Sequence, residues 1–218
     1  MKTFYGRRFS RNSKKNNLEI LFSSNLFFNE VDGEYKVESF SKKFKCINLE
    51  IGFGNGENLI YQAQRRPSEG FVGCDPFLSG NIKVLKKISN STIKNILITN
   101  MQFSQYVKVN LKITYNNIFI LFPDPWPKKR HKKRRLVNIE FINDLTKLTK
   151  SNGKLFIKTD SQDYFKTIVS LFVTYGCFTM LRIFDNDLKI EPFKNTNYAK
   201  KASDNQRVIF ASVFKLIK

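Results

Sequence analysis

Short apolar runs that end in glycine or an acid alternate with amphipathic stretches along most of this chain. Leu18 to Phe28 places apolar residues at 18, 21, 22 and 26, a helix-like spacing. "CINLEIGFGNGE" is then an apolar run closing in glycines, and "LIYQAQ" starts a helix. "FVGCDP", "IKNILITN", "NNIFILFPDPW" and "GKLFIKTD" read as further strands, with "NIKVLKKI", "LVNIEFINDLTKLTK" and "YFKTIVSLFVTY" as helices among them. "TMLRIF" and "RVIFASVFKLI" follow as two late strands with no helix between them. Five β–α repeats and a final strand pair predict an open α/β sheet of seven strands, mostly parallel with an antiparallel edge.

In such a sheet ligands bind beyond the carboxyl ends of the strands. The unusual residues of this sequence fall there: Glu50 with its glycines, Asp75, Asn100, Asp124 and Asp160. Five polar or acidic endings are more than packing requires. The polar, basic stretch 1–17 lacks apolar periodicity and reads as a flexible arm, leaving 18–218 as a single domain.

Charge adds a partner. Lys and Arg number 38 against 18 Asp and Glu, a formal net charge of +20, which calls for an anionic ligand such as nucleic acid. The three cysteines, Cys46, Cys74 and Cys177, form no C-x-x-C pair, so neither a disulfide framework nor a metal site is expected. No stretch is long and apolar enough for a membrane span or a signal peptide, so a cytoplasmic protein away from membranes is expected, as monomer or homodimer.

"EIGFGNGE" sets Gly52, Gly54 and Gly56 directly after the first strand of the repeats. Glycine lets the backbone turn sharply and come close to a ligand. The spacing is G-x-G-x-G, not the dinucleotide pattern G-x-G-x-x-G, and no Lys-Ser/Thr follows to hold a triphosphate. A nucleoside without phosphates fits better. Asp75 is placed to accept from two ribose hydroxyls, Asn100 to meet an adenine edge, and Glu50 to sit near a cationic sulfonium or amine. Together they point to S-adenosylmethionine; a plain glycine turn is the competing reading.

"LFPDPWPKKRHKKRR" joins a strand end to a block of positive charge. Pro123, Pro125 and Pro127 restrict the backbone around Asp124 and Trp126, making a rigid turn suited to positioning. Trp126 stacks on a base or belongs to the core. Lys129, Arg130, Lys132, Lys133, Arg134 and Arg135 are expected to meet RNA phosphates, a solvated charged face being the bland alternative. Asp160 is either an acceptor for the bound substrate's N–H groups or a helix N-cap.

The segments "LEIGFGNGE", "GCDPF", "FPDPWPKKRHKKRR", "KLFIKTD" and "TNY" resemble, in order, those of bacterial tRNA (guanine-N7)-methyltransferases, as does "YGRR" near the N-terminus. The resemblance implies a Rossmann-like S-adenosylmethionine-dependent methyltransferase fold. It implies methylation of guanosine N7 in tRNA, at position 46 of the variable loop. Asp124 becomes the catalytic-turn residue and, with Glu50, Asp75 and Asn100, a cofactor contact. Lys128, Asp160 and the segment Thr196, Asn197, Tyr198 become guanine or RNA contacts. Two positions depart from the family pattern: Asp75 stands where glutamate is usual, and Ala199 where the late motif ends in glutamate. The alternative reading is a weakly active or non-catalytic basic RNA-binding protein that keeps the fold.

Overall fold

The computed structural model describes residues 17–89, 91–110, 112–185 and 204–217. The arm expected at 1–17 lies outside them except for Asn17, as do Thr196, Asn197, Tyr198 and Ala199. The chain forms two compact units, Met1–Ile113 and Thr114–Lys218.

In the first unit the helix α1 spans Asn17–Ser23 and leads into a two-residue strand, β1, Phe27–Phe28. The helix α2 follows at Gly33–Ser41. The sequence pattern carried α1 through to Phe28, but Phe27 and Phe28 are both buried and pair in parallel with a later strand. Next come β2 (Ile47–Ile51), α3 (Glu57–Arg65), β3 (Gly70–Cys74), α4 (Leu78–Ser89), β4 (Ile96–Thr99) and α5 (Phe103–Val109). The order across this unit is β1-β4-β3-β2, every pair parallel. All residues of β2, β3 and β4 are buried, as expected of strands covered on both faces. Phe53, Leu59, Phe71, Ile82, Leu85 and Ile98 belong to one apolar cluster with Leu21 and Phe27 of the leading segment.

The second unit opens with β5 (Tyr115–Leu121). A 3₁₀ helix at Lys129–Arg134 follows, then α6 (Ile139–Leu148), β6 (Thr149–Thr159), α7 (Gln162–Tyr175), β7 (Phe178–Asp185) and β8 (Phe210–Leu216). Its order is β5-β6-β8-β7. The β5–β6 pair is parallel, while β8 runs antiparallel to both β6 and β7. Asn138 caps α6 by accepting from the Phe141 amide at 3.1 Å, and Gly176 ends α7 in a left-handed conformation. Phe172 stacks on Phe214 at 4.4 Å and meets Phe178 edge-on, which fastens α7 to the antiparallel edge.

The α/β class, the mostly parallel strands and the antiparallel edge are as the sequence predicts. The described residues contain eight strands rather than seven, the extra one being β1. Its two residues are too few to show an alternating pattern.

Candidate active site

The first unit builds its polar surface where β2 and β3 end. Gly52, Gly54 and Gly56 all take left-handed backbone angles, φ 76°, 56° and 72°, which other residues adopt only under strain. The turn is held from β3. The Gly52 amide donates to the Cys74 carbonyl at 2.8 Å, and the Gly54 amide donates to Asp75 Oδ2 at 2.6 Å. The other carboxylate oxygen, Oδ1, accepts from the Phe77 amide at 2.8 Å. Asp75 thus clasps the glycine turn to the start of α4. Asn81, one turn into α4, donates from Nδ2 to the Asp75 carbonyl at 2.8 Å and fixes the same corner from behind.

Gly56 and, within α4, Gly80 are closely packed, whereas Gly52 and Gly54 are not. A Cβ on Gly56 would strike Val84, and one on Gly80 would strike the Gly54 carbonyl oxygen. At Gly52 and Gly54 a Cβ would meet nothing within 4 Å. Those two positions therefore leave a backbone surface bare beside the turn, where a flat nucleoside could lie against the chain. This fits the cofactor expected from the sequence. Asn100 stands half-buried just beyond β4, at the same end of the strands.

Glu50 precedes the turn and is only 4% exposed. Its Oε2 accepts from Asn58 Nδ2 at 2.9 Å, and Asn58 is held in turn by Gln62 at 3.1 Å. Burial is the main force on its carboxyl and pushes the pKa up to about 8, with the negative charges of Asp75 and Glu57 adding to the rise and Asn58 opposing it. A cation placed beside it would favour the ionised form, as a sulfonium or an ammonium would.

The second unit carries the proline turn. Phe122 and Trp126 both adopt left-handed angles, φ 52° and 41°, on either side of Pro123-Asp124-Pro125. Such angles are uncommon for bulky residues and persist only where surroundings enforce them. The enforcement is visible. Phe122 donates its amide to the Lys158 carbonyl at 2.7 Å. The Pro125 carbonyl accepts from Arg135 Nε at 2.9 Å. Arg135 is 5% exposed. Its guanidinium also donates to Thr167 Oγ1 at 3.1 Å and to Asp163, and lies 4.7 Å over the Tyr164 ring. The expectation that Arg135 meets RNA phosphate is therefore corrected: every nitrogen of its fork is spent inside the protein, on holding the proline turn to α7. Asp124 reaches solvent, yet protein packs closely around it, and the lost hydration raises its carboxyl pKa.

The rest of the basic run divides by geometry. It winds into the 3₁₀ helix with Lys128 at its start, and Lys128, Lys129, Arg130 and Lys133 are exposed. Lys132 is exposed but paired with Asp163 at 2.9 Å. Arg134 lies 5.0 Å over the Trp126 ring, with His131 edge-on to it at 5.8 Å. Trp126 is half-buried in its own chain's cation and imidazole, a third state between the two that the sequence left open. Partial desolvation, then Arg134, Arg130, Lys128 and Lys133, hold the His131 pKa below its ordinary value.

Asp160 stands at the end of β6. The residue that caps α7 is its neighbour: Ser161 Oγ accepts the Tyr164 amide at 3.4 Å. The helix-cap reading of Asp160 is thereby removed. Its carboxylate instead pairs with Arg207 at 2.9 Å. Lys158, two residues earlier, is 2% exposed with its ammonium 5.8 Å from the Phe122 ring centre. Sequence reasoning missed Asn58, Asn81 and Arg207. Asn58 and Asn81 sit in the first turns of α3 and α4, past the cap position where asparagine carries a local signal, and Arg207 lies 47 residues from its partner.

A family model described as "Putative methyltransferase" matches residues 45–212. A tRNA (guanine-N(7)-)-methyltransferase of Wolbachia pipientis is 44% identical over 134 residues, 62% of this chain and 61% of that protein. One from Neorickettsia sennetsu is 31% identical over 201 residues, covering 92% of this chain and 85% of that protein. The chain belongs to the tRNA (guanine-N(7)-)-methyltransferase family. It spans less than two thirds of the Wolbachia protein and 33% of a bifunctional methyltransferase of Rickettsia typhi to which it is 36% identical. Among solved structures, an antibiotic-related methyltransferase matches with a TM-score of 0.66 at 18% identity, covering 83% of this chain and 92% of that one. The 16S rRNA methyltransferase KamB matches with 0.64 at 10%, covering 84% and 93%. These two establish the methyltransferase fold.

Within this family member Glu50 has a consequence for stability. Its folded pKa of about 8 lies above the ordinary 4.5, so the unfolded chain gives up this proton first as pH rises. Glu50 therefore withdraws stability progressively between about pH 4.5 and pH 8, and no further above that. Glu50→Gln keeps an acceptor for Asn58 but cannot ionise. The variant is expected to gain on the wild type as pH rises from about 5 to about 8. Urea unfolding across that range is the check, and parallel pH profiles would mean that Glu50 is ionised in the fold throughout.

Proposed function

We propose that this protein transfers the methyl group of S-adenosylmethionine to N7 of a guanosine in tRNA, in the variable loop. The single observation that carries the reading is the Asp75 clasp on a left-handed glycine turn with bare backbone at Gly52 and Gly54. It is supported by the names of the relatives and by a rigid Pro-Asp-Pro turn that runs into exposed cations. S-adenosylmethionine supplies an activated methyl on a sulfonium: the sulfur–carbon bond breaks with its electrons left on sulfur, and N7 gives its lone pair to the new bond.

Guanine N7 carries no proton at neutral pH, so no general base is needed. The chain's task is to position and to balance charge. In the first unit Gly52, Gly54 and Gly56 would hold the nucleoside against the backbone, with Asp75 on the ribose, Asn100 on the adenine and Glu50 toward the cationic end. A carboxylate oxygen can accept more than one hydrogen bond, so the two Asp75 oxygens suit a pair of ribose hydroxyls. In the second unit Asp124 would face the reacting groups. The base becomes cationic on methylation, and a carboxylate on a turn fixed by Arg135 stabilises that charge without having to reorganise. Asp160 would accept from N1–H and the 2-amino group. Lys128, Lys129, Arg130 and Lys133 would take phosphates, and Thr196, Asn197 and Tyr198 would complete the RNA contacts.

The direct test is to incubate the protein with tRNA and methyl-labelled S-adenosylmethionine and to identify the labelled nucleoside after digestion. The expected product is 7-methylguanosine from the variable loop; label in another nucleoside, or none, refutes the reading. For the phosphate surface, Lys129→Gln, Arg130→Gln and Lys133→Gln combined are expected to flatten the log–log salt dependence of tRNA binding. Each lost contact should remove roughly 0.7–0.9 from the slope. A slope equal to the wild type's would make these residues a solvated face.

A further inference from the structure

Arg207 lies just before β8, and Asp160 just after β6. The two strands are antiparallel neighbours, with Thr159 opposite Phe210 and Lys158 opposite Ala211. That register brings residues 160 and 207 to the same end of the strand pair. The neighbourhood of Arg207 is anchored: Ile209 is buried, and Phe210 stacks on Phe165 of α7 at 5.4 Å. Arg207 Nη1 donates to Asp160 Oδ2 at 2.9 Å. The Arg207 side chain is 61% exposed and that of Asp160 23%. As a stabilising device such a pair is worth little. It is also not used to cap α7, since Ser161 does that.

We propose that Arg207 is a specificity-determining residue which, paired with Asp160, completes the complement to the Watson–Crick edge of the target guanine. The inference rests on the reading that guanine N7 of tRNA is the methyl acceptor. That edge presents two donors, N1–H and the 2-amino group, and one acceptor, O6. A carboxylate answers the donors only. An opposed acceptor at O6 needs a donor beside the carboxylate, on the same side of the base.

The Arg207 fork has five N–H groups in a fixed plane and spends one on Asp160 among the described residues. The others are free to reach O6 while the carboxylate holds N1–H and the amino group. N7 lies on the other edge of the base and stays open to the methyl donor. Adenine reverses the pattern, placing an amino group against the guanidinium and a bare N1 against the carboxylate. The pair thus rejects adenine by leaving like groups opposed. The same ion pair orients the Asp160 carboxylate before the base arrives.

The test uses tRNA carrying, at the target position, guanosine, 6-thioguanosine or inosine. Sulfur at position 6 is a weak acceptor, and inosine lacks the 2-amino group. On guanosine, Arg207→Gln is expected to lower kcat/KM by about tenfold or more, the loss of a charged donor to O6, and Arg207→Lys to recover part of it. Wild type should lose on 6-thioguanosine, whereas Arg207→Gln should show no further loss there. Arg207→Gln should still suffer on inosine, and Asp160→Asn should not. Unfolding midpoints should be unchanged by the substitutions at 207.

If wild type makes 7-methylguanosine but the losses from 6-thioguanosine and Arg207→Gln multiply, Arg207 does not touch O6 and the inference fails alone. Higher turnover in Arg207→Gln would overturn it equally, because Arg207 would then be blocking Asp160. If wild type makes no 7-methylguanosine from guanosine tRNA, the acceptor reading fails and takes this inference with it.

Discussion

The carboxylate of Asp75, accepting the Gly54 amide on one oxygen and the Phe77 amide on the other, is the constraint on which the first unit's site depends. Charge-assisted bonds of this kind contribute about 1.5–3 kcal/mol each. Here they fix a turn whose three glycines all sit at positive φ. The turn is also locked from α4, since no side chain fits at Gly56 or Gly80 without a collision. What remains uncovered is the backbone at Gly52 and Gly54. The same acid that a ribose would approach is thus already holding the floor on which the nucleoside would rest. The shorter acid matters: its two oxygens lie close enough to β3 to reach amides on both sides of the strand end.

Arg135 does for the second unit what Asp75 does for the first. A buried guanidinium is costly unless each of its donors is paired. Its donors meet the Pro125 carbonyl, Thr167 and Asp163, and its face lies on Tyr164. The result is a proline turn stapled to α7, with two bulky residues held in left-handed conformations. The basic run is therefore two things at once. Its last arginine is part of the scaffold, Arg134 and His131 pack on Trp126, and Lys128, Lys129, Arg130 and Lys133 are exposed.

The fold was legible where the sequence repeats one physical rule. Apolar runs closed by glycine or a polar residue, fully buried in β2, β3 and β4, gave β2 to β6 and their polar ends. The glycine turn was legible because only glycine takes those angles cheaply. The rest fails for identifiable reasons. Phe27–Phe28 is a strand only because β4 offers it an edge, and α2 buries just Gly33, Val37 and Phe40, too sparse a stripe to stand out. A block of consecutive cations looks uniform in sequence, and nothing local says that Arg135 turns inward. Asp160 next to Ser161 offers two caps, and only the backbone angle at the helix start selects the serine. Arg207 was invisible because its meaning lies in the β6–β8 register, not in its neighbours.

The central claim is that the Asp75-held turn is the methyl-donor site. It is tested most directly by titrating S-adenosylhomocysteine, the demethylated product, into wild type and Asp75→Ala in a calorimeter, with tRNA affinity measured at one salt concentration. The account expects the variant to bind the nucleoside at least about tenfold more weakly, from two lost charge-assisted bonds, with tRNA affinity unchanged. Equal nucleoside affinity in the two proteins would contradict it.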